Sequence, residues 1–451
     1  MDMLWNPAGP AVATTGAPEP LPPLTLAVED AIALKVRIHQ RLIELLNLNL
    51  LDSAQRETLH HEIRGVVADV LNEEKRFLTA AQIDQLIEDV LDELLGLGPL
   101  EPLLKDDTIS DILINTHASV YVERRGLLEK TEVRFQDTRH LVRIINKIVS
   151  AVGRRVDESQ PMVDARLADG SRVNAIIPPL AVDGPLVSIR KFARTPIHMA
   201  KLVELGSLTA EMGHVLQVLV KVRRNVLISG GTGTGKTTLL NALSAFVDDN
   251  ERIVTIEDSA ELQIQKSHVG RLETRPPNIE GKGEIAQRDL VRNALRMRPD
   301  RIIVGEVRAG EAFDMLQAMN TGHDGSMTTV HANTPRDALT RLEQMIGMAG
   351  LEISSRSIRQ QIASAINVVV QVERMEDGRR RVVSITELVG MEGEVISMQE
   401  IFRFRRQGWN EIDGVSGEFE TTGVRPKFMD LAQARGIELP AGMFAPSRKS
   451  L

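Results

Sequence analysis

The chain has 451 residues, which at roughly 150 residues per domain predicts two to four domains rather than one. Its formal net charge of −8 and its 3% content of aromatic residues argue against a polyanion-binding surface and against base-stacking platforms, so we expect no stable nucleic-acid partner. The chain has no cysteine, which excludes a disulfide scaffold and a Cys₄ zinc site, and it shows neither a membrane-spanning apolar stretch nor a signal peptide, so we expect a soluble cytoplasmic protein.

The amino-terminal region divides into a tail and a helical segment. Residues 1–27 are rich in proline and alanine and predict a disordered tail, because they cannot bury enough apolar surface to become ordered. Residues 28–98 predict a helical bundle. Thr79 and Gln82 have the spacing of a capping box, and Gly96 is expected to end the last helix. The apolar positions that share a helix face are Leu59, Ile63, Val66, Val67, Val70 and Leu71 in one segment and Ile83, Leu86, Ile87, Val90, Leu91, Leu94 and Leu95 in the next.

The next region, residues 99–205, predicts a mixed α/β domain. Short alternating runs at 109–114, 119–123 and 187–192 are typical of strands, and residues 139–152 form a helical pattern between them. A linker is expected near residue 206.

A phosphate-binding loop follows the linker. The run from Gly230 to Thr237 reads GGTGTGKT, which matches G-x-x-x-x-G-K-[ST], and it stands between a predicted buried strand at 225–229 and a predicted helix. Glycines let successive backbone N–H groups face one anion, Lys236 brings a positive charge to the β- and γ-phosphates, and the Thr237 hydroxyl is a candidate ligand of Mg²⁺. The sequence therefore predicts a nucleoside triphosphatase. The expected nucleotide-binding residues are Gly231, Thr232, Gly233, Thr234, Gly235, Lys236, Thr237 and Thr238.

Polar residues follow the strands that come after the loop. Predicted strands at 252–256, 301–304 and 326–330 alternate with helices, which indicates a parallel sheet with helices on both faces. Directly or shortly after them stand Glu257 with Asp258, then Glu306, then His331. Ligand groups gather at the carboxyl ends of parallel strands, and phosphoryl transfer needs one carboxylate in the Mg²⁺ shell and another to activate water. Glu257 and Glu306 can divide these two roles.

A hairpin is predicted near the end of this region. Apolar runs at 368–372 and 381–385 flank Asp377-Gly378, which is a strong hairpin signal, so the sheet is expected to gain antiparallel strands. Basic runs at 379–381 and 403–406 flank predicted strands and favour solvated hairpin faces over a nucleic-acid site.

Several of these segments resemble secretion ATPases, the hexameric motors of type II and type IV secretion and of type IV pili. Residues 255–258 (TIED), 303–308 (IVGEVR) and 321–333 (TGHDGSMTTVHAN) resemble the acid box, the Walker B motif and the histidine box of that superfamily. One departure is Gly305-Glu306, where Walker B strands usually have aspartate at the metal position.

Within that superfamily, the chain resembles the CpaF/TadA type, which assembles tight-adherence (Tad/Flp) pili. Residues 275–284, 292–300, 423–428 and 436–440 resemble that type, and the likeness extends from about residue 28 onward. The resemblance implies a multidomain protein with an N-terminal helical bundle, a PAS-like α/β domain, and a RecA-like P-loop α/β ATPase domain with a C-terminal extension over 206–451.

The resemblance also implies roles for individual residues. ATP and Mg²⁺ would be bound, with Glu257 as the catalytic base and Glu306 as the acid that holds Mg²⁺ through water, beside Thr237. His323 and His331 would couple the γ-phosphate to the neighbouring subunit. The family uses arginines of the preceding domain to clamp the terminal phosphates; Arg172 and Arg190 are the expected pair, and Arg166 is expected to form an ordinary salt bridge.

The function implied is an Mg²⁺-dependent ATPase motor for a Tad/Flp pilus. It would form a homo-hexamer and act on a polytopic inner-membrane platform protein through peripheral membrane contact only. The alternatives are a VirB11-like type IV secretion traffic ATPase, a RecA-like DNA translocase and a nucleotide-regulated scaffold. The sequence does not distinguish pilus extension from retraction.

Overall fold

The computed structural model describes residues 56–192, 196–277, 282–350, 352–410, 414–440 and 442–450, together with positions 30, 34, 35, 37, 38, 41 and 42. The predicted tail, residues 1–27, lies outside the described residues, and so do positions 278–281 of the segment 275–284. None of the helices in the described part has the length and the apolar character needed to cross a membrane.

The first described unit is helical. Helices α1 (Arg56–Glu73) and α2 (Ala80–Leu95) pack against each other around a buried apolar core. The capping box of α2 is present, since the Thr79 backbone N–H donates to Gln82 Oε1 at 2.9 Å and the Gln82 N–H donates to Thr79 Oγ1 at 3.4 Å. The predicted apolar faces are largely buried, whereas Leu95, at the end of α2, is 40% exposed.

A six-stranded antiparallel sheet follows, in the strand order β3-β2-β1-β6-β5-β4. Its strands are β1 (Ile109–Thr116), β2 (Ser119–Arg124), β3 (Leu127–Lys130), β4 (Met162–Arg166), β5 (Arg172–Ile176) and β6 (Leu186–Arg190), with the short helix α3 (Glu101–Lys105) before β1 and helix α4 (Thr138–Ala151) between β3 and β4. Alternate residues such as Ile112 and Ile189 are buried in one core with α4. Because side chains alternate along a strand, the residues between them lie on the opposite face of the sheet.

A ten-stranded sheet forms the rest of the protein, in the order β16-β15-β14-β13-β12-β7-β11-β10-β8-β9. Its strands are β7 (Val226–Gly230), β8 (Ile253–Glu257), β9 (Val269–Glu273), β10 (Arg301–Val304), β11 (Met327–Val330), β12 (Val368–Arg374), β13 (Arg380–Glu392), β14 (Val395–Asn410), β15 (Gly414–Thr421) and β16 (Ser447–Ser450). The helices are α5 (Met199–Glu204), α6 (Ala210–Lys221), α7 (Lys236–Ser244), α8 (Gln287–Ala294), α9 (Glu311–Asn320), α10 (Pro335–Met348), α11 (Ser355–Ala365) and α12 (Phe428–Ala434).

The central part of this sheet is parallel and covered on both faces, as predicted. Strands β12, β7, β11, β10, β8 and β9 pair in parallel. Val226 and Ile228 belong to one core with α6 and α7, whereas Leu227 belongs to a second core with α9 to α11. The sheet is therefore buried on both sides, and the carboxyl ends of its parallel strands meet at one edge.

The hairpin prediction at Asp377-Gly378 is confirmed, since β12 and β13 pair in antiparallel fashion around it. The prediction of a solvated face holds for Arg403, Arg405 and Arg406, which lie on exposed positions of β14. It is wrong for Arg381, which is only 2% exposed and stacks over the ring of Phe404. Strands β14 and β15 cover this guanidinium. The neighbouring residue, Arg380, donates a hydrogen bond to the phosphate loop.

Candidate functional site

The phosphate loop joins β7 to α7 in the predicted order. Gly233 and Gly235 have φ of 70° and 94°, a conformation that side chains disfavour, and Gly235 precedes the first residue of α7. A Cβ on Gly230 would lie 2.4 Å from the Val372 carbonyl oxygen, so that position also requires glycine. The loop thus has its glycines where its backbone needs them, at the amino end of a helix that favours an anion.

Lys236 is buried at the base of the loop. Its Nζ donates to the carbonyls of Gly230 and Gly231 at 3.0 and 2.8 Å and lies 3.4 Å from His331 Nε2. Burial lowers the pKa of Lys236, while the nearby charge of Glu306 opposes that change.

Two of the predicted strand-end residues meet beside Lys236. His331 Nε2 lies 3.1 Å from Glu306 Oε1, and Glu306 in turn accepts from Arg308 at 3.1 Å. Burial, and then the charge of Lys236, lowers the pKa of His331, so its imidazole is neutral at pH 7. Arg308 also lies 3.4 Å from Asp258, which connects the ends of β10 and β8. Lys236, His331 and Glu306, residues far apart in the sequence, therefore form one polar cluster.

Glu257 is buried at the end of β8. Its Oε1 accepts from the backbone N–H groups of Glu261 and Leu262, each at 2.9 Å, whereas its Oε2 is buried without a hydrogen bond to any residue that the structure describes. Burial raises the pKa of Glu257 to about 7. A carboxylate with this pKa can take up or release a proton near neutral pH.

The three arginines of the preceding sheet form a single row. Arg166, Arg172 and Arg190 are direct cross-strand neighbours on β4, β5 and β6, on the sheet face opposite to α4. Arg166 pairs with Glu273 of β9 at 3.0 Å, and Arg172 pairs with Glu261, in the segment after β8, at 2.6 Å.

Arg190, the third member of the row, pairs within its own sheet with Asp111 at 3.4 Å. The three arginines line a cleft of about 1100 Å³ together with Asp258, Glu273 and Arg308. A smaller cavity of about 160 Å³ is lined by Arg172 and Arg190 together with Thr237 and Thr238. Arg172 and Arg190, but not Arg166, therefore share a cavity with the helix that follows the phosphate loop.

The structure differs from the predicted site at three residues. His323 lies before β11, at the opposite end of the sheet from His331, and its Nδ1 lies 3.2 Å from the Ala318 carbonyl, so it does not belong to this cluster. Arg308 and Glu261 contact site residues although sequence reasoning assigned them no role. Their positions within the IVGEVR run and just after the TIED run were the available signals.

The donor set is consistent with magnesium held mainly by a nucleotide. Among the residues that the structure describes, no group of three or more His, Cys, Asp or Glu side chains is arranged to hold a metal ion. Mg²⁺ usually keeps several waters and binds through one or two protein oxygens and substrate phosphates. The Thr237 hydroxyl, at the start of α7, and the Glu306 carboxylate fit that mode of binding.

Comparison with known proteins gives consistent matches. Residues 93–404 match the family described as type II/IV secretion system protein. A putative conjugal transfer protein of Mycobacterium tuberculosis is 40% identical over 309 residues, which cover 67% of this chain and 87% of that protein. The type IV secretion system protein VirB11 of Bartonella quintana is 32% identical over 333 residues, covering 65% of this chain and 92% of that protein.

Among solved structures, the ATPase DotB of Legionella pneumophila is 25% identical and has a TM-score of 0.45, with 62% of this chain and 76% of that chain covered. The family match at 93–404 contains the whole phosphate loop, Glu257, Glu306 and His331.

Proposed function

The chain belongs to the family of type II/IV secretion system proteins, and on that premise we propose that it is an Mg²⁺-dependent ATPase motor. The observation that carries the proposal is the cluster beside the phosphate loop, in which His331 Nε2 lies 3.4 Å from Lys236 Nζ and 3.1 Å from Glu306 Oε1. Enzymes of phosphoryl transfer act mainly by positioning the reactants and stabilising charge, which suits this arrangement.

The loop residues from Gly231 to Thr238 would hold the triphosphate. Lys236 would exchange the two loop carbonyls for phosphate oxygens, which carry negative charge and therefore accept stronger hydrogen bonds. Thr237 and Glu306 would hold Mg²⁺, Glu306 through water, and the ion would neutralise charge on the phosphates. His331, next to both Lys236 and Glu306, would couple the γ-phosphate to a neighbouring subunit.

Glu257 is the proposed general base. Its pKa of about 7, raised by burial, suits a group that must accept a proton from water near neutral pH. Its second carboxylate oxygen has no hydrogen-bond partner among the described residues and is therefore able to accept that proton.

Arg172 and Arg190 are the proposed clamp on the terminal phosphates. Their shared cavity with Thr237 and Thr238 supports this assignment over Arg166. Closure of the arginine-bearing sheet onto bound ATP, and its release after hydrolysis, would convert turnover into movement between the two sheets.

The domain limits are part of the proposal. We assign a tail to 1–27, a helical bundle to 28–98, a PAS-like α/β domain to 99–205 and a RecA-like ATPase domain with its extension to 206–451. Met199 and Leu202 pack with the core of the ten-stranded sheet, which supports moving the last boundary a few residues towards the amino terminus.

The specific work that we propose is assembly of a Tad/Flp pilus, with retraction as a further possibility. The support is the resemblance of residues 292–300, 423–428 and 436–440 to the CpaF/TadA type. A homo-hexamer would act in the cytoplasm, peripheral to the inner membrane, on a polytopic platform protein that inserts or extracts pilin subunits.

A VirB11-like traffic ATPase is the second candidate. The matched relatives, a putative conjugal transfer protein and a VirB11 protein of type IV secretion, favour it. Deleting the gene and scoring surface pili against transfer of DNA or effector proteins separates the two candidates. Loss of pili alone supports the pilus motor, whereas loss of transfer with normal pili supports the second candidate.

The ATPase assignment has a direct test. Glu257→Gln should abolish phosphate release and leave nucleotide binding intact, whereas Lys236→Ala should remove binding itself. Glu376→Gln, at an exposed position of the β12–β13 turn, is the control and should behave as the parent protein. Unchanged phosphate release in Glu257→Gln would refute the assignment of the base.

A further inference from the structure

The β12–β13 hairpin lies against the phosphate loop. Arg380 Nε donates to the Gly233 carbonyl at 2.8 Å. A Cβ on Gly233 would lie 3.4 Å from Arg374 Nη1, and a Cβ on Gly235 would lie 3.3 Å from Arg380 Cδ. The two arginines of the hairpin therefore pack directly on two glycines of the loop.

Both arginines are held by one carboxylate of the other sheet. Glu123, on β2, lies 3.2 Å from Arg374 Nη1 and 3.4 Å from Arg380 Nη2. Arg374 also donates to the Gly126 carbonyl, in the turn after β2. The Glu123 side chain is only 14% exposed, so solvent screens these ion pairs less than it screens a surface pair.

The backbones of the two turns touch at the same place. A Cβ on Gly126 would lie 2.8 Å from the Gly378 carbonyl oxygen, and both glycines have positive φ, 86° and 77°. This contact is independent of the ion pairs, and it brings the turn after β2 against the β12–β13 turn. The six-stranded sheet thus contacts the hairpin through both backbone and side chains.

The bond from Arg380 has a consequence for phosphate binding. The Gly233 carbonyl and the Thr234 N–H belong to one planar trans peptide, so they point in opposite directions. By holding the carbonyl, Arg380 keeps the Thr234 N–H directed to the other side of the peptide. Converging N–H groups are what a phosphate loop uses to bind its anion.

We propose that Glu123 is a positioning residue for nucleotide binding, acting through Arg380 and Arg374 on the phosphate loop. It fixes the orientation of the Gly233–Thr234 peptide and couples that orientation to the position of the six-stranded sheet. A shift of that sheet away from the hairpin would release the arginines, loosen the loop and weaken its hold on a nucleoside di- or triphosphate. This inference rests on the proposed function.

The test is a double-mutant cycle on binding of a fluorescent ADP analogue. Glu123→Ala and Arg380→Ala should each raise the Kd by about 5- to 20-fold, because a charge-assisted contact is lost in both. The Kd of the double variant should be at most about twofold higher than the Kd of either single variant, since both changes break the same connection. The matched control is Glu376→Ala, in the turn of the same hairpin, which removes a 2.7 Å ion pair with Arg406 of β14 and should leave the Kd unchanged.

A structural role alone would give a different pattern. Glu123→Gln preserves the shape of the side chain but removes its charge, so it should raise the Kd less than Glu123→Ala while melting at the parent temperature. Two results would overturn the inference while Lys236→Ala still abolishes binding. One is that the losses of binding free energy add up in the cycle. The other is a parent-like Kd in folded Glu123→Ala and Glu123→Gln. Normal binding by Lys236→Ala would overturn the proposed function and this inference with it.

Discussion

At the scale of single residues, the position of Glu257 creates a conflict between stability and chemistry. Its carboxyl group is buried, and one oxygen has no hydrogen-bond partner among the described residues, so ionising it costs free energy. The protein tolerates this cost at a place where a pKa near 7 is useful to a general base.

This conflict predicts a pH-dependent stability difference. The pKa of Glu257 in the folded protein, about 7, lies above its ordinary value of 4.5, so its contribution to stability is complete below pH 4.5 and is lost as pH rises through 7. Glutamine is neutral at every pH and can still accept both backbone hydrogen bonds. Between pH 5.5 and 8, we expect Glu257→Gln to gain about 2 kcal/mol in unfolding free energy relative to the parent protein.

Thermal or urea unfolding of both proteins across this pH range measures the gain. A constant offset between the two curves would mean that Glu257 ionises with an ordinary pKa and that its burial is not felt in the folded protein.

At the scale of elements, strand β8 depends on a glycine in the segment after β10. A Cβ on Gly305 would lie 2.9 Å from Glu257 Cγ, so an alanine there must displace the glutamate. The departure from an ordinary Walker B strand, Gly305-Glu306, therefore makes room for the proposed base as well as supplying an acid.

We expect Gly305→Ala to lower kcat by about 100-fold while nucleotide binding persists, because a displacement of about 1 Å at a catalytic group is enough for such a loss. Steady-state turnover and direct binding measurements separate the two effects. Gly347→Ala, in α10, is the matched control, since no described atom beyond its chain neighbours and the backbone of its own helix lies within 4 Å of the added methyl group. Equal turnover in both variants would show that Glu257 does not need the space beside Gly305.

At the scale of the whole molecule, ion pairs connect the six-stranded sheet to the domain of the ten-stranded sheet. Arg166 and Arg172 bind Glu273 and Glu261, and Glu123 binds the hairpin arginines. Glu261 occupies the guanidinium of Arg172, one of the two proposed clamp arginines. Nucleotide binding would then exchange the Glu261 carboxylate for phosphate oxygens, while the contacts of Glu123 stay in place, and the sheets would move in response.

The row of three arginines allows a comparison within one sheet. We expect Arg172→Ala and Arg190→Ala to lower kcat by about 10³-fold, as loss of a charge that stabilises the transition state should. Arg166→Ala should lower it less than about fivefold, because a partly exposed ion pair contributes little. Parallel kcat and Kd measurements on the three variants test the assignment, and equal losses in all three would contradict it.

The sequence by itself determined the local features of the site. The glycine pattern predicted the phosphate loop, and strand periodicity predicted that Glu257, Glu306 and His331 follow neighbouring strands. The Asp377-Gly378 signal predicted the hairpin. Each of these depends on backbone geometry within a few residues, which composition and spacing reveal directly.

Only the tertiary structure decided which distant residues meet. It brought Glu123 to Arg374 and Arg380, paired Arg172 with Glu261, and placed His323 at the far end of the sheet. It also buried Arg381 within a run that composition alone predicts to be solvated. These contacts join segments far apart in the chain. Their partners depend on sheet order and register, which local periodicity does not specify.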